Sequence, residues 1–441
     1  GQLLDVSQEE SPLMVDAIFA IRQLTLMFGK INKPCTPERE EAALAAYVEC
    51  EKELAQWEES VKGEDLSSFR HIARVLFRDV LLALDSDVYN LELLPKHGPG
   101  STADRLSGNQ KYDNVEWTVR LESVFPSWEY AIPNPRYIDI VDWFQFLEPG
   151  AERPVRVVSV PKTQKTPRII AIEPTCMQYM QQAVSRRLVE YLESSSLLSG
   201  MIGFEDQTPN QRLAQEGSLT GSLATLDLSE ASDRVSWLLV STLFEGFWNA
   251  HEGIEACRSL TADVPGHGVI PLTKFASMGS ALTFPIEAMV FLTCVFHGIV
   301  NELNCQMTPE LVKRYRSRVR VYGDDIIVPV EFAESVVRSL ELFGFKVNTR
   351  KSFWTGMFRE SCGAEYFGGE DVSITRFRRE FPQSRADVQE ILSMVSLRNQ
   401  FYVSGMWKTA KELDSMIRSV LKHFPTVGPD SPVVGRHSYM G

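Results

Sequence analysis

The sequence predicts an α+β fold, and two observations support this prediction. Apolar residues recur at helical spacing in several segments, most clearly over residues 69–85, where one face is apolar. Two β-branched runs flank a Gly-Asp turn within residues 318–330, which is the pattern of a β-hairpin. The chain has 441 residues, of which 44% are apolar, so it can bury a sizeable core in more than one subdomain.

Predicted helices and strands follow each other along the whole chain. The apolar periodicity predicts helices over 38–58, 69–85, 176–193, 284–300, 332–343, 385–398 and 406–423. Strands are predicted at 155–160, 169–172 and 223–228, and a basic loop joins the first two. The Pro- and Gly-rich tail from Pro425 to Gly441 is predicted to be extended.

Charge and cysteine usage narrow the class of protein. The net charge of −13 argues against a general nucleic-acid binder, because such affinity rests on neutralised phosphates. Basic clusters within 153–168 and 313–320 fit basic channels in an acidic protein, or alternatively solvated faces. The seven cysteines include no CxxC pair, which indicates reduced thiols in a cytosolic protein. No signal peptide is expected at the polar start, and the apolar stretch Ala288–Val300 is expected to be too short to span a bilayer.

The strongest chemical signal is the string Tyr322-Gly323-Asp324-Asp325. Two adjacent carboxylates at a tight turn repel each other, and a bound divalent cation would remove that conflict. The glycine lets the backbone turn and come close to a ligand. The alternative is an ordinary acidic turn, because Asp and Gly are the commonest turn residues.

Other acidic positions favour the metal site over the acidic turn. Asp227 ends the predicted strand 223–228, and Asp233 follows it at the start of a helix. Two strands side by side would bring Asp227 next to Asp324. Such a cluster can hold two Mg²⁺ ions about 3.5–4 Å apart. Mg²⁺ prefers the hard oxygen ligands that these side chains supply.

Two further segments offer groups to a nucleotide. Directly before the apolar helix lie Ser277, Gly279 and Thr283. Small and hydroxyl residues there allow close approach and offer donors to a sugar or phosphate, although a simple helix cap is the alternative. The loop between the first two strands carries Lys162, Lys165 and Arg168. Their charges would complement a triphosphate, unless the loop is merely solvated.

Along the chain the motifs follow in the order basic loop, Asp227 and Asp233, Ser277-x-Gly279-x-x-x-Thr283, and Tyr322-Gly323-Asp324-Asp325. In this order they resemble the palm motifs of viral RNA-dependent RNA polymerases. More narrowly, the chain is similar to the replicase β subunits of levivirus-type single-stranded RNA bacteriophages, including the Qβ-like replicases. The strings that carry the resemblance are Val160-Pro161-Lys162, Ile170-Ala171-Ile172-Glu173-Pro174, Asp206-Gln207-Thr208, Asn210-Gln211-Arg212, Asp227-Leu228-Ser229, Ala231-Ser232-Asp233, Ser277-Met278-Gly279, Thr283-Phe284 and Phe358-Arg359-Glu360-Ser361-Cys362-Gly363. The resemblance runs from about Gly98 to Gly369.

The resemblance implies a right-hand polymerase with an antiparallel palm sheet packed on helices. Residues 1–222 would form an N-terminal helical layer and the fingers. Residues 223–370 would form the palm, with a fingers excursion near 252–274, and residues 371–441 a thumb that is truncated relative to the family. The implied reaction is the copying of a viral RNA genome from ribonucleoside triphosphates.

The resemblance also implies roles for individual residues. Asp227, Asp324 and Asp325 would be catalytic, and with the main-chain carbonyl of Leu228 they would hold two Mg²⁺ ions, for which Mn²⁺ could substitute. The nucleotide would contact Lys162, Lys165, Arg168, Asp233, Ser277, Gly279 and Thr283. Arg350 and Lys351 are candidates for a pyrophosphate contact, with surface salt bridges as the alternative.

Partners and location are implied in the same way. The chain would bind an RNA template and its product, and it would work with the host elongation factors Tu and Ts and a ribosomal protein. It would act in the cytoplasm of the infected bacterial host, without a membrane. No residue in the sequence shows such a host interface independently.

One position departs from the broader polymerase class. Many members carry an Asn that helps to sense the ribose 2′-hydroxyl, whereas this chain has Glu287, as in the phage group. Ribose sensing is therefore expected to depend on Asp233, Ser277 and Thr283. Two other functions remain open: a reverse transcriptase, which shares the two-aspartate hairpin, and a non-catalytic RNA-binding protein. The intact set of aspartates argues against the second, because binding alone needs no carboxylates pointed at phosphates.

If the basic loop binds the triphosphate, Arg168→Ala should raise the Michaelis constant for nucleotides or slow the reaction, with little change in RNA affinity. The chain is acidic overall, so a local positive cluster exerts little long-range attraction on RNA. The measurements are nucleotide kinetics at saturating RNA and RNA binding across a salt series. Unchanged kinetics with a salt slope reduced by about one unit would instead assign Arg168 to the RNA backbone.

Overall fold

The computed structural model describes residues 12–132 and 134–439. The remaining parts of the predicted N-terminal layer, thumb and extended tail (residues 1–11, 133 and 440–441) lie outside the described residues. The helices are α1 (Pro12–Leu26), α2 (Pro37–Ser60), α3 (Gly63–Tyr89), α4 (Val119–Val124), α5 (Ser127–Tyr130), α6 (Thr175–Ser194), α7 (Thr208–Thr220), α8 (Trp237–Phe244), α9 (Trp248–Cys257), α10 (Thr283–Leu303), α11 (Pro309–Tyr315), α12 (Ala333–Leu342), α13 (Val388–Val403) and α14 (Trp407–Leu421).

The strands are short and lie between these helices. They are β1 (Glu116–Thr118), β2 (Gln145–Leu147), β3 (Val155–Val160), β4 (Arg168–Ile172), β5 (Leu223–Leu226), β6 (Leu228–Ser229), β7 (Thr261–Val264), β8 (Gly268–Pro271), β9 (Arg320–Tyr322), β10 (Asp325–Pro329), β11 (Lys346–Val347), β12 (Phe358–Ser361), β13 (Ala364–Phe367) and β14 (Glu370–Asp371). The mixture of helices and antiparallel sheets confirms the predicted α+β class.

The sheet β5-β10-β9 is antiparallel and holds the predicted hairpin. β9 and β10 occupy the two β-branched runs, and only the Gly323-Asp324 turn separates them. Helix α7 packs on β5, and α10 packs on β9. A second sheet has the order β4-β3-β7-β8, and smaller ones are β11-β6 and β12-β13-β14. The predicted strands at 155–160, 169–172 and 223–228 are all present.

Helix α10 forms the centre of the main core. It is apolar nearly all round and contacts α3, α12 and β9, and 83% of its most apolar 18-residue stretch is buried. The helix extends beyond the predicted apolar stretch Ala288–Val300, and by length and composition alone its 21 residues could cross a membrane. Because it is buried inside the protein, its apolar character is that of a core helix.

The chain forms two compact units. The larger comprises Leu44–Val158 and Ile169–Asp371, and its core includes α3, α10 and the sheet β5-β10-β9. Of the described residues, the smaller comprises 12–43, 159–168 and 372–439. Its core gathers apolar residues of α13 and α14, including Met394 and Leu413. The whole basic loop predicted between β3 and β4 belongs to this smaller unit.

Close packing of α10 on α12 predicts that Gly298→Ala destabilises the protein. A Cβ at this position would lie 2.7 Å from Val336 Cα and 2.9 Å from Ser335 O, both backbone atoms that cannot rotate away. Forcing the helices apart should cost about 1–3 kcal/mol, measured by urea unfolding. The matched control is Gly63→Ala, where nothing lies within 4 Å of the added carbon. Equal stability of the two variants would contradict this account of the packing.

Candidate active site

The tip of the β9-β10 hairpin exposes Asp324 and leaves no room for a side chain at Gly323. Tyr322 pairs with Asp325, so Gly323 and Asp324 form a two-residue turn. Gly323 has φ +57°, and a Cβ there would lie 2.5 Å from the ring of Phe284. Only glycine fits both the positive φ and this space. The turn therefore presents Asp324 at the surface of the larger unit.

Asp227 lies at the end of the neighbouring strand. Leu226 of β5 pairs with Ile326 of β10, so Asp227 follows on the side of the sheet where the hairpin turns. The Asn348 side-chain amide donates to Asp227 Oδ2 at 2.8 Å, and the Asn348 main-chain N–H donates to Asp227 O at 2.8 Å. Lys351 Nζ lies 3.6 Å from Asp227 Oδ1. The segment after β11 thus orients the carboxylate and places a cation beside it.

Asp325 is held by the end of β12 and the residue that follows it. Its Oδ1 accepts the Cys362 N–H at 3.0 Å and the Ser361 hydroxyl at 3.2 Å. Burial raises the pKa of Asp325, and the charges of Asp324 and Asp227 raise it further, although the two hydrogen bonds lower it. The three predicted aspartates are therefore near enough to repel one another. The structure brings them to one edge of the sheet.

A buried polar network supports Asp325. Asn210 of α7 is fully buried, donates to Ser361 Oγ at 3.3 Å and accepts the Arg320 Nε–H at 2.6 Å. Arg320 also donates to Gly200 O at 2.7 Å. The orientation of the Asn210 amide is fixed because each end has its own partner. The sequence offered no signal for this network beyond the Asn210-Gln211-Arg212 string, since a buried Asn looks like any polar helical residue.

Asp233 lies in a short 3₁₀ turn, Ser232–Arg234, and does not cap the next helix. The cap of α8 is Ser236, whose hydroxyl accepts the Leu239 N–H at 3.1 Å. Asp233 Oδ1 instead accepts a hydrogen bond from Lys274 Nζ at 2.9 Å. The sequence contained no signal for this partner, which lies in the excursion predicted near 252–274.

The predicted Ser-Gly-Thr segment folds back on itself before α10. The Thr283 hydroxyl donates to Ser277 O at 2.8 Å, and the Ser277 hydroxyl pairs with Tyr47 OH at 2.9 Å. Gly279 has φ +138°, and any Cβ there would overlap the main-chain oxygen of Ala171. The segment is thus packed tightly against β4 and is more than a cap. Both hydroxyls have internal partners but keep lone pairs for a ligand.

Glu287 of α10 lies close to the acidic turn, because a Cβ on Gly323 would be 3.3 Å from Glu287 Oε1. The side chain is 7% exposed, and burial raises its pKa well above the ordinary value. The carboxylates of Asp324 and Asp233 raise that pKa further, so Glu287 senses both charges. The position that departs from the broader polymerase class therefore interacts electrostatically with both the aspartate edge and the predicted ribose site.

The remaining predicted site residues are the basic side chains and Leu228. Lys162 and Lys165 are exposed on the loop between β3 and β4, which is braced by hydrogen bonds between Thr163 and Thr166. Arg168, predicted to lie in this loop, is exposed at the first position of β4. Arg350 and Lys351 are both exposed. Leu228 is buried in β6, which pairs with β11.

The acidic edge suits a hard cation only in part. Among residues 12–132 and 134–439, no group of three or more His, Cys, Asp or Glu side chains is arranged to hold a metal ion. The available donors are carboxylate oxygens, which Mg²⁺ prefers. The repulsion that raises the pKa of Asp325 is also one that a bound cation would relieve. The chemistry of the donors fits a divalent cation, although the three aspartates do not form a closed ligand set.

Comparison with known proteins places these motifs in a family. The model of the family described as RNA replicase, beta-chain, matches residues 151–421, which is more than half of the chain and includes every aspartate above. The chain belongs to this RNA replicase beta-chain family. The predicted relationship to levivirus-type replicases is thereby confirmed.

The replicase chain is similar to several phage proteins named RNA-directed RNA polymerase. It is 30% identical to subunit beta of Escherichia virus Qbeta over 83% of this chain and 59% of that protein. It is 34% identical to subunit beta of Enterobacteria phage SP over 64% and 47% of the two chains. It is 38% identical to the beta chain of Escherichia phage MS2, over 49% of this chain and 36% of that protein. The replicase chain thus spans about half the length of the curated relatives it matches.

Solved structures give weaker similarities. A BmCPV RNA-dependent RNA polymerase at elongation state matches with a TM-score of 0.44 and 12% identity, over 75% of this replicase chain and 31% of that chain. The RNA-dependent RNA polymerase of a human picorbirnavirus matches with a TM-score of 0.42 and 11% identity, over 60% and 55%. Scores this low carry no argument of their own.

The network around Asn210 predicts that Asn210→Ala lowers the free energy of unfolding by about 1–3 kcal/mol, because the buried Arg320 would lose an acceptor. The matched control is Arg212→Ala on the exposed face of the same helix, expected to stay within about 0.5 kcal/mol of the parent. Urea unfolding measures both. An Asn210→Ala protein as stable as the control would show that the network is not needed to hold Arg320.

Proposed function

We propose that this chain synthesises RNA on an RNA template from ribonucleoside triphosphates. One observation carries the proposal: Asp227 and the Asp324 turn lie on paired strands of one antiparallel sheet, in a member of the RNA replicase beta-chain family. The relatives' name, RNA-directed RNA polymerase, supports the same activity. The reaction would be attack of a strand's 3′-hydroxyl on the α-phosphate of an incoming nucleotide.

Asp227 and Asp324 would hold two Mg²⁺ ions, for which Mn²⁺ could substitute, with the Leu228 carbonyl as a further ligand. Bound cations would supply activation of the attacking hydroxyl and stabilisation of the leaving group. Asp325 would contribute mainly charge, because its Oδ1 already accepts two hydrogen bonds. Asn348 would keep Asp227 oriented, since it holds both a carboxylate oxygen and the main-chain oxygen of that residue.

Cations of the chain would neutralise the triphosphate. Lys351 is the best placed of them, because it lies 3.6 Å from Asp227 Oδ1 and is exposed, so it can turn to the leaving pyrophosphate. Arg350 is exposed next to it and is proposed to assist. Lys162, Lys165 and Arg168 are proposed to bind the triphosphate, a role that rests on the family resemblance and on their charge.

Selection of ribonucleotides would fall to Asp233, with Ser277 and Thr283. Asp233 is partly exposed beside the site, and among the described residues no hydrogen bond reaches its Oδ2. That oxygen can accept a bond from a ribose hydroxyl. Gly279 would let the segment before α10 pack closely enough to place the two hydroxyl side chains. A site of this kind rejects a sugar that lacks the hydroxyl, because its own polar groups are then left unpaired.

The larger organisation is proposed from the family. Residues 1–222 would be the N-terminal layer and fingers, 223–370 the palm with an excursion near 252–274, and 371–441 the thumb. The RNA template and product would be bound during synthesis. Host elongation factors Tu and Ts and a ribosomal protein are proposed partners, and the cytoplasm of the infected bacterium is the proposed location.

The proposal predicts that Asp324→Asn abolishes synthesis while the protein stays folded, because a principal ligand of the cation is lost. The assay is incorporation of labelled ribonucleotides on a homologous RNA, with and without host factors, and circular dichroism checks the fold. The control is Asp113→Asn, an exposed aspartate in a 3₁₀ turn away from the sheet. Wild-type-like incorporation by folded Asp324→Asn would falsify the assignment.

The same assay separates the other functions. Equal use of deoxyribonucleotides by the wild-type chain would favour a reverse transcriptase. Binding of RNA without incorporation under every condition, including added host factors, would favour a non-catalytic RNA-binding protein. The proposed polymerase should incorporate ribonucleotides and depend on Asp227 and Asp324.

A further inference from the structure

Lys274 is a charged side chain that no water reaches. It is 0% exposed, and its Nζ lies 2.9 Å from Asp233 Oδ1 and 3.0 Å from Glu51 Oε1. The same nitrogen lies 3.6 Å from the centre of the Tyr47 ring. Burial alone would lower the pKa of Lys274, but the charges of Asp233 and Glu51 raise it above its ordinary value. The side chain is therefore a buried ammonium group whose position is determined by its partners.

The partners other than Asp233 fix Lys274 in place. Glu51 Oε2 accepts the main-chain N–H groups of Thr273 at 2.7 Å and of Lys274 at 3.2 Å. The buried guanidinium of Arg258 donates to Lys274 O at 2.8 Å and to Phe275 O at 3.1 Å. Both the backbone and the head group of Lys274 are thus held by residues outside the proposed catalytic machinery. Lys274 can act as a rigid support for a more mobile partner.

Asp233 is that partner. Its side chain is 20% exposed, and Lys274 takes only Oδ1. No hydrogen bond within 12–132 and 134–439 is made to Oδ2, so the Lys274 contact is what determines where Oδ2 lies. A carboxylate on a short 3₁₀ turn would otherwise rotate about its side-chain bonds.

The residues around Lys274 also contact Ser277, another residue of the proposed ribose site. The Tyr47 ring lies against the Lys274 ammonium, and the Tyr47 hydroxyl pairs with Ser277 Oγ at 2.9 Å. Lys274 therefore touches Asp233 directly and Ser277 through one aromatic side chain. One buried cation fixes two groups that would have to meet the same sugar.

We infer that Lys274 is a positioning residue that aims Asp233 Oδ2 and, through Tyr47, Ser277 at the ribose of the incoming nucleotide, and so sets the preference for ribonucleotides. This inference rests on the proposed polymerase function. It assigns the discrimination between ribonucleotides and deoxyribonucleotides to a lysine that would touch neither the nucleotide nor the metal. The loss of Lys274 should weaken use of ribonucleotides and leave use of deoxyribonucleotides unchanged, whereas general damage to the fold would lower both.

The test compares four variants of the full chain, one of which is the conservative Lys274→Arg, in the preparation in which the wild type copies RNA. Lys274→Met removes the ammonium group, and the double variant Lys274→Met/Glu51→Gln does so without leaving a buried carboxylate unpaired, which protects folding. Glu51→Gln alone is the matched control, because it keeps the contact between Lys274 and Asp233. For each protein kcat/KM is measured with a ribonucleotide and its 2′-deoxy analogue, and thermal unfolding checks the fold.

We expect Lys274→Met and the double variant to lower the ratio of kcat/KM for the ribonucleotide to kcat/KM for the deoxyribonucleotide by about tenfold or more. The ratio should fall because kcat/KM for the ribonucleotide falls. Glu51→Gln should keep the wild-type ratio, and Lys274→Arg should restore part of it. An unchanged ratio in the folded double variant would overturn the inference and leave the polymerase proposal standing. Failure of the wild-type chain to incorporate nucleotides with its host factors would instead overturn the proposed function itself.

Discussion

The pairing of β10 with β5 on one side and β9 on the other is the constraint on which the candidate site depends. Side chains alternate between the faces of a strand, so a shift of register by one residue would turn each acidic group to the opposite face. The observed register places Leu226 opposite Ile326 and Tyr322 opposite Asp325. Asp227 and the Asp324 turn therefore meet at one edge, and burial of β10 against the core keeps them there.

The carboxylates at this edge are held by polar groups that are themselves buried. Arg320 and Asn210 stand behind Asp325, and Lys274 stands behind Asp233. A buried charge is costly unless it is paired, so such cations hold their positions firmly once the partners are present. Among the described residues, the hydrogen bonds to Asp325 and Asp233 reach only Oδ1 of each carboxylate, so Oδ2 of both remains open to a ligand. Rigid support from behind is what a site needs when its own groups repel one another.

Local patterns predicted much of the fold and of the site. The hairpin was predictable because two β-branched runs flank a Gly-Asp pair, and the core helix because its apolar residues are continuous. Helices α7 and α9 were not predicted, since α7 has few apolar residues and α9 contains a glycine. Lys274 and Asn210 could not be assigned either. Their partners lie 41 and 110 residues away along the chain, and such contacts are set by tertiary packing that no local pattern reports.

Joint binding of a divalent cation by Asp227 and Asp324 can be measured by a Mn²⁺ titration that is followed by electron paramagnetic resonance. The full chain should show saturable binding of Mn²⁺. An Asp227→Asn/Asp324→Asn variant with an unchanged circular dichroism spectrum should lose it, because two of the hard oxygen donors become neutral amides. Equal binding of Mn²⁺ by the variant and the wild type would show that Asp227 and Asp324 do not hold the cation.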